Sequence, residues 1–410
     1  MKVLVISASF PPMKSGGADY ALRLSQELAQ CDLQIRVLTS SIRNVATDPL
    51  IKVHPIMRQW SWRELPRLLR VVRRYRPDVI NLHFVGEVYH HHPMITFLPA
   101  LLKKLIPRIG IVTHLESGTG IDMSGNPLGA RILWRILATA FRVSKKDAEF
   151  GTVLRDSDQV IVLSDEHRIK LKPFCANLDE KCTLIPPPPL LPMASDTTES
   201  RQLGREALGI SSETFLLAYY GYIYPNKGIE TLLKAFAIVR QSHPKVHLAL
   251  IGGTNEVLLR TLNRPDYLQE LQQEAQYLGI ANDVIWTGYY PSESNQASLF
   301  LRGADLCVLP FDRGVYLNNS SFSAAAAHGL PIVTARPNLL ETPFEDGKNL
   351  VFFPPQMPQA LAETVTKLLD DAEQRRQLSK GALKLSREWL SWDVVIRRTL
   401  QCFHTATAAK

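Results

Sequence analysis

Short runs of valine, isoleucine and leucine recur along this chain without alternating with polar residues. In the first half they are KVLVISA from Lys2, QIRVLT from Gln34, DVINLH from Asp78, GIVTH from Gly110 and QVIVLS from Gln159. In the second half they are FLLAYYG from Phe215, VHLALIG from Val246, DVIWTG from Asp283, DLCVLP from Asp305 and PIVTA from Pro331. A strand that is apolar on both faces must be covered on both faces, which is the situation inside a parallel sheet. Amphipathic patterns of helical period separate the runs, so the repeating unit is strand–helix–strand and the fold class is α/β. Pro186–Pro189 form an unbroken run that can continue neither a helix nor a central strand, and the polar tract SDTTESRQ follows from Ser195. The expectation is two Rossmann-like, doubly wound parallel-sheet domains, 1–188 and 189–385, with their strand ends facing a central cleft.

The remaining totals narrow the class. A chain of 410 residues accommodates two or three domains. Its longest apolar candidate for a membrane span, ITFLPALL, is short and contains Pro99. Lys2 followed by VLVISA imitates a signal peptide, but FPP follows with no small-residue cleavage site, so residues 2–9 read as a buried strand. Cys31, Cys175, Cys182, Cys307 and Cys402 are odd in number and have no close spacing. That pattern argues against a disulfide scaffold or a structural zinc site and for a reducing, cytoplasmic compartment. The formal charge of +8 suits an anionic partner: nucleic acid, nucleotide or membrane surface. No nucleic-acid-binding motif accompanies it, so no nucleic-acid partner is expected.

In open parallel sheets, ligands bind beyond the carboxyl ends of the strands. After the first strand, SFPPMKSGGAD leads to a helix expected to begin near Ala18. Gly16 and Gly17 there suit either a bare tight turn or a backbone anion site. Neither the dinucleotide fingerprint nor the P-loop is present. His83 ends one strand, and His114 ends another, followed by Glu116, Ser117 and Gly118. Each histidine alone reads as structural, whereas the pair at neighbouring strand ends reads as functional. His90, His91 and His92 diverge as consecutive side chains and read as a loop. Ser164 reads as a helix cap before Asp165 and Glu166. Asp156 and Asp158 resemble a metal-binding pair but precede their strand, at the wrong end of the sheet.

In the second half, YYGYIYPNKGIETLLKAF places Lys227 and Gly228 at a helix start. A lysine there opposes the helix dipole, and a ligand phosphate would offset it; the alternative is a surface lysine without a role. The small-residue helix Ala324–Ala327 follows Asn318, Asn319, Ser320 and Ser321, which can cap it or present polar groups. Glu341 follows the next strand and can accept hydrogen bonds from hydroxyl groups.

Segments in order along nearly the whole chain resemble glycosyltransferase family 4, the retaining enzymes of GT-B fold. FPPMKSGGADYALRLSQELA resembles the amino-terminal P-P-x-x-G-G motif, and GYIYPNKGIETLLKAFAIV resembles G-R-x-x-x-x-K-G-x-x-x-L-x-x-A-F. LPFDRGVYLNNSSFSAAAAHGLPIVTA takes the place of the segment ending A-x-G-x-P-V-V. ETPFEDGKNLVFFPPQMPQALAETVTKLLDD resembles the tail of the carboxyl domain, and LSWDVVIRRTL, within 386–410, the final helix that packs back on the first domain.

The resemblance implies transfer of a sugar from a nucleotide-sugar donor to a glycan, lipid-linked or small-molecule acceptor, with no cofactor and no metal. It makes His114 and Lys227 the catalytic residues, with Lys227 and the Gly17 backbone at the donor diphosphate, His114 at the transferred sugar, and Glu341 in a loop near it. Gly16, Tyr222, Asn318, Asn319, Ser320 and Ser321 join the donor side, His83 and Glu116 the acceptor side. Two departures stand out. Tyr222 replaces the usual arginine, and the family's two spaced glutamates are missing, with Ala324 at the second position and only Gly314 to Tyr316 near the first. Either the polar residues 318–321 and backbone groups substitute, or the chain is a non-catalytic nucleotide- or sugar-binding protein. A phosphorylase or an epimerase of the same fold is a further alternative.

The surplus charge is concentrated around WSWRELPRLLRVVRRYRPD. Leu65, Leu68, Leu69 and Val72 form a core face there, while Arg63, Arg67, Arg70 and Arg74 form another stripe. The stripe reads as a solvated helix face or as peripheral contact with an anionic membrane at its inner face.

Overall fold

The computed structural model describes residues 1–116, 128–143, 150–291 and 294–408. The chain divides into two compact units, one of Met1–Pro186 with Trp392–Lys410 and one of Pro187–Ser391. In the first unit the strands are β1 (Lys2–Ile6), β2 (Gln34–Ser40), β3 (Ile51–Met57), β4 (Val79–Phe84), β5 (Gly110–Leu115), β6 (Gln159–Val162) and β7 (Cys182–Leu184). They form a sheet of order β3-β2-β1-β4-β5-β6-β7 in which every neighbouring pair is parallel. The helices are α1 (Gly16–Ala29), α2 (Leu65–Tyr75), α3 (Pro93–Leu105), α4 (Leu128–Ala140), α5 (Val153–Asp156), α6 (Asp165–Leu171) and α7 (Leu178–Lys181). The chain runs outward from β1 to β3 and then returns to place β4 on the other side of β1. That reversal is the switch point at which an open α/β sheet leaves room for ligands.

The second unit repeats the plan. It contains α8 (Thr198–Ala207), β8 (Phe215–Tyr220), α9 (Ile229–Ser242), β9 (Val246–Ile251), α10 (Glu256–Thr261), α11 (Tyr267–Tyr277), β10 (Val284–Trp286) and α12 (Gln296–Gly303). It continues with β11 (Leu306–Leu309), α13 (Ser320–Ala327), β12 (Ile332–Ala335), β13 (Val351–Phe353), α14 (Pro358–Asp370) and α15 (Ala372–Trp389). The sheet order is β10-β9-β8-β11-β12-β13, again parallel throughout, with the reversal between β8 and β11. The last helix, α16 (Trp392–Ala408), belongs to the first unit and lies against β4, β5, β6 and α1. Among the described residues no helix is long and apolar enough to cross a membrane.

Strand alternation sorts the first unit's side chains into two layers. Ile80, Leu82 and Phe84 of β4 enter the apolar layer that also takes Leu68 and Val72 of α2 and Leu98 and Leu102 of α3. Asn81 and His83 therefore point to the other face, where α1 and α16 lie. At the amino ends of the strands, Asp158 accepts from the Ile111 amide at 2.8 Å and pairs with Lys103 at 2.6 Å. Asp305 does the same in the second sheet, accepting from the Leu216 amide at 2.8 Å and pairing with Arg201 and Arg205. Ser164 caps α6 by accepting from the His167 amide at 3.2 Å, and His92, last of the three consecutive histidines, caps α3.

Two histidines are held neutral within this framework. His167 lies on the buried side of α6, and burial is the main cause that brings its pKa down to about 4. His328 is buried between Ser298 Oγ at 2.6 Å and the Ala324 carbonyl at 2.7 Å, and burial brings it to about 4 as well. In the unfolded chain both protonate near the ordinary value, so their contribution is complete above about pH 6.5 and is lost as pH falls towards 4. Urea unfolding is expected to show each unit losing about 2 kcal/mol between pH 7 and pH 5 through its buried histidine. His328→Asn should flatten the slope for the second unit, and a midpoint independent of pH over that range would refute the assignment.

Candidate functional site

In the first unit, α1 begins at Gly16 rather than near Ala18, because Ser15 is its cap and accepts from the Ala18 amide at 3.2 Å. Gly16 faces open space, whereas a Cβ on Gly17 would meet Glu116 Oε2 at 2.7 Å. Glycine at 17 thus lets a carboxylate lie against the first turn of the helix, where negative charge is favoured. The other oxygen of that carboxylate, Glu116 Oε1, sits 2.7 Å from His83 Nδ1. The β4–β5 register puts His83 opposite His114, and their rings stack at 4.8 Å with 4° between planes. Tyr20 of α1 lies over both imidazoles at 5.9 and 6.0 Å, and Trp392 of α16 stacks on Tyr20 at 6.4 Å.

This cluster gathers His83, His114, Glu116 and Gly17 as the sequence suggests, but with different exposure. His114 is fully enclosed, and burial, followed by the neighbouring His83, pushes its pKa well below the ordinary value. It is therefore a neutral imidazole. Among the described residues neither His114 nitrogen, nor Tyr20 Oη, nor Asn81 Oδ1 has a hydrogen-bond partner. The Glu116 side chain alone keeps a modest exposure, 12%. Ser117 and Gly118 lie outside the described residues. Tyr20 and Trp392 were not anticipated, since their place over the histidines depends on α1 and α16 sharing one face of the sheet.

In the second unit the corresponding edge is built by close backbone approach. Gly221, with φ of 137°, follows β8, and a Cβ there would meet Ser321 Oγ at 2.5 Å. Gly228, with φ of 73°, caps α9, and a Cβ there would lie 1.9 Å from the Pro310 carbonyl oxygen. Only glycine fits either position. No side chain caps α9, so its first amides are not occupied by a protein cap. Immediately before it, the Lys227 ammonium lies 4.8 Å from the ring of Tyr224 and 4.9 Å from that of Phe311. Among the described residues no carboxylate pairs with Lys227.

The other predicted donor-side residues have protein duties. Asn319 caps α13, its side-chain oxygen accepting from the Ser321 and Phe322 amides at 3.1 and 3.2 Å. Ser320 opens the helix and is half-buried, as is Asn318, while Ser321 is buried against Gly221. Tyr222 is half-buried, and its carbonyl accepts from Tyr219 Oη at 3.0 Å. Glu341 is buried, with Oε2 accepting from the Leu317 amide at 2.5 Å. That oxygen holds the loop before α13 rather than standing free for a hydroxyl. Ala324 is wholly enclosed, so α13 carries no carboxylate there. A cluster of tyrosines went unnoticed: Tyr290 is hydrogen-bonded to Tyr220 and stacks on Tyr289 at 6.5 Å. The doubled tyrosines at 219–220 and 289–290 were the available signal.

Of the arginine stripe, Arg70 and Arg74 on α2 and Arg63 just before it are exposed. Arg67 is engaged, pairing with Glu64 at 2.5 Å and donating to the Ile56 carbonyl at 2.9 Å.

Two parallel-sheet units of this order, each with its glycine-rich turn and helix start at the switch point, define a GT-B glycosyltransferase fold. Residues 14–188 match the model of glycosyltransferase family 4, and residues 200–385 match that of the group 1 glycosyl transferases. The chain belongs to that family of glycosyltransferases. It is similar to the D-inositol 3-phosphate glycosyltransferase of Thermomonospora curvata, 31% identical over 207 residues, which are 48% of this chain and 44% of the relative. The counterpart from Salinispora arenicola is 29% identical over 226 residues, 53% of this chain and 47% of the relative. The chain thus spans about half the length of the curated relatives it matches. Among solved structures it resembles the sucrose-phosphate synthase of Thermosynechococcus elongatus, with a TM-score of 0.72, 18% identity and 100% coverage of both chains. It also resembles Anabaena HepE in complex with UDP and glucose, with a TM-score of 0.70 and 17% identity over 99% of this chain and 100% of that one. At these identities the likeness is one of fold.

The Gly17–Glu116 contact is open to a double-mutant cycle. Gly17→Ala is expected to push the Glu116 carboxylate off His83 and cost about 1 kcal/mol, a cost that disappears in a Glu116→Ala background. Strictly additive effects in chemical unfolding would show that the carboxylate does not occupy that position.

Proposed function

We propose that this chain is a retaining, metal-independent glycosyltransferase that takes its sugar from a nucleotide-sugar donor and gives it to a glycan, lipid-linked or small-molecule acceptor. The observation that carries the reading is Lys227, a cation without a carboxylate partner among the described residues, beside the uncapped start of α9. A positive side chain at a helix amino terminus is unfavourable until an anion joins it. As the glycosidic bond breaks, negative charge builds on the departing nucleoside diphosphate. Fixed donors aimed at that charge, the Lys227 ammonium and the first amides of α9, stabilise it in the transition state. The solved HepE complexes with UDP and with UDP-glucose support a donor of this class.

In this reading the second unit holds the donor, with Tyr222, Asn318 and Ser320 beside Lys227. The first unit receives the acceptor. Glu116, fixed by His83, accepts a hydrogen bond from the acceptor hydroxyl through Oε2. The enclosed, neutral His114 acts as a positioning group by stacking on His83. A second reading, binding without turnover, is favoured by Tyr222 and Ala324, which replace a family arginine and a family glutamate.

A panel of nucleotide sugars separates the two. Thermal protection by a donor, followed by transfer or slow hydrolysis with the anomeric configuration kept by NMR, is the expected result, at a rate unchanged by EDTA. Protection with no turnover under any acceptor sustains the second reading instead. Lys227→Ala is expected to lower kcat/KM about 100-fold or more while leaving the unfolding midpoint in place. Equal activity in the variant removes Lys227 from the mechanism.

A further inference from the structure

Helix α4 is mounted with its apolar side outwards. Its inner side is anchored on α3: Trp134 meets Phe97 edge-on at 6.3 Å, and Phe141, just beyond the helix, meets the same ring at 5.4 Å. Arg155 fastens the carboxyl end by donating to the Phe141 carbonyl at 2.5 Å and the Arg142 carbonyl at 3.2 Å. On the outer side, Leu128, Ile132 and Ile136 follow one another at four-residue spacing with exposures of 71, 48 and 59%, and Leu133 beside them is 41% exposed. Arg131 and Arg135, both exposed, run along one flank of this line. A water-facing helix ordinarily shows the opposite pattern, with its apolar stripe inwards. A contiguous exposed apolar patch of this kind marks an interaction surface.

The charge around the patch chooses the partner. Residues 128–143 contain Arg131, Arg135 and Arg142 and no acidic residue. A second copy of the same face would bring these arginines against their own equivalents, with no acidic residue among residues 128–143 to neutralise them. On the supporting layer, the end of α3 exposes Lys104 and Leu105, and the turn after it exposes Arg108. The exposed arginines of α2 belong to the same layer, since α2 and α3 share one apolar core. The outer line of α4 is about 12 Å long, enough to lie in an interface and too short to span one.

We propose that the outer face of α4, Leu128, Ile132, Leu133 and Ile136 flanked by Arg131 and Arg135, docks into the interfacial zone of an anionic lipid bilayer. The apolar side chains enter the headgroup boundary and the guanidinium groups meet lipid phosphates. The exposed arginines of α2 add attraction at longer range, which salt screens. This inference goes beyond the transferase reading and does not depend on it.

Sedimentation of the full chain with phosphatidylcholine vesicles, with and without phosphatidylglycerol, tests the proposal without any sugar donor. Binding is expected only with the anionic lipid. Ile132→Ser/Ile136→Ser should lower it about tenfold or more at an unchanged unfolding midpoint, because both side chains already face water. Arg131→Gln/Arg135→Gln should lower it several-fold, with most of the loss at low salt. The proposal is overturned if anionic vesicles do not sediment the protein, if neutral vesicles do so equally, or if the serine variant binds like the wild type. It is also overturned if the wild type self-associates in the ultracentrifuge and the serine variant abolishes that association, since a second copy is then the occupant.

Discussion

In both sheets every neighbouring pair of strands is parallel, and the rest of the structure follows from that alignment. Parallel strands send each following loop to the same edge of the sheet, so helix starts, glycine turns and polar strand ends collect there. The opposite edge is sealed instead. Asp158 and Asp305 each clasp a strand amide and a neighbouring cation there, so these carboxylates are committed to holding strand ends. Chemistry has one edge of each unit available to it, and the reversals at β1/β4 and β8/β11 open that edge at a definite place.

The two edges treat charge in opposite ways. At the start of α1, the helix amides meet Ser15, and the Glu116 carboxylate lies against Gly17, so the protein itself supplies the anion. At the start of α9 the protein supplies a cation, Lys227, and no cap. The first arrangement suits a neutral hydroxyl that donates to a carboxylate. The second suits a phosphate. The helix dipole is the same in both, and the side chain placed against it decides what the site can hold.

The buried, β-branched strands were legible in the sequence because burial on both faces leaves a continuous apolar signature. The strands that escaped were β3, β7 and β13, each at or next to a sheet edge. β3 contains Pro55 and Lys52 and reads as polar, as edge strands commonly do, while β7 and β13 are each three residues long. Lys227 was legible in the sequence because a cation at a helix start is unfavourable without a reason, and Gly228 because the left-handed cap it forms before α9 suits glycine. Tyr20 over the paired histidines, Trp392 over Tyr20 and the Tyr220–Tyr290 contact were not, since each joins residues far apart in sequence. Glu341 was legible only in part: its position after a strand is visible in the sequence, whereas the contact of its Oε2 with the Leu317 amide is a tertiary fact.

The missing family glutamate is also a matter of packing. Ala324 lies within a helix that is pressed into the unit on several sides. Ser321 abuts Gly221, Ser323 Oγ donates to the Pro187 carbonyl at 2.7 Å, and His328 at the helix end meets Ser298. Such approaches need small side chains, and a carboxylate at an enclosed position would be buried without a cation to meet it. Alanine at 324, serine at 321 and glycine at 221 therefore act together as one close-packed wall. In the function proposed above, a donor at this edge is gripped from the loops on either side of α13 and from α9, with Lys227 the cation set at the start of α9 for its phosphates.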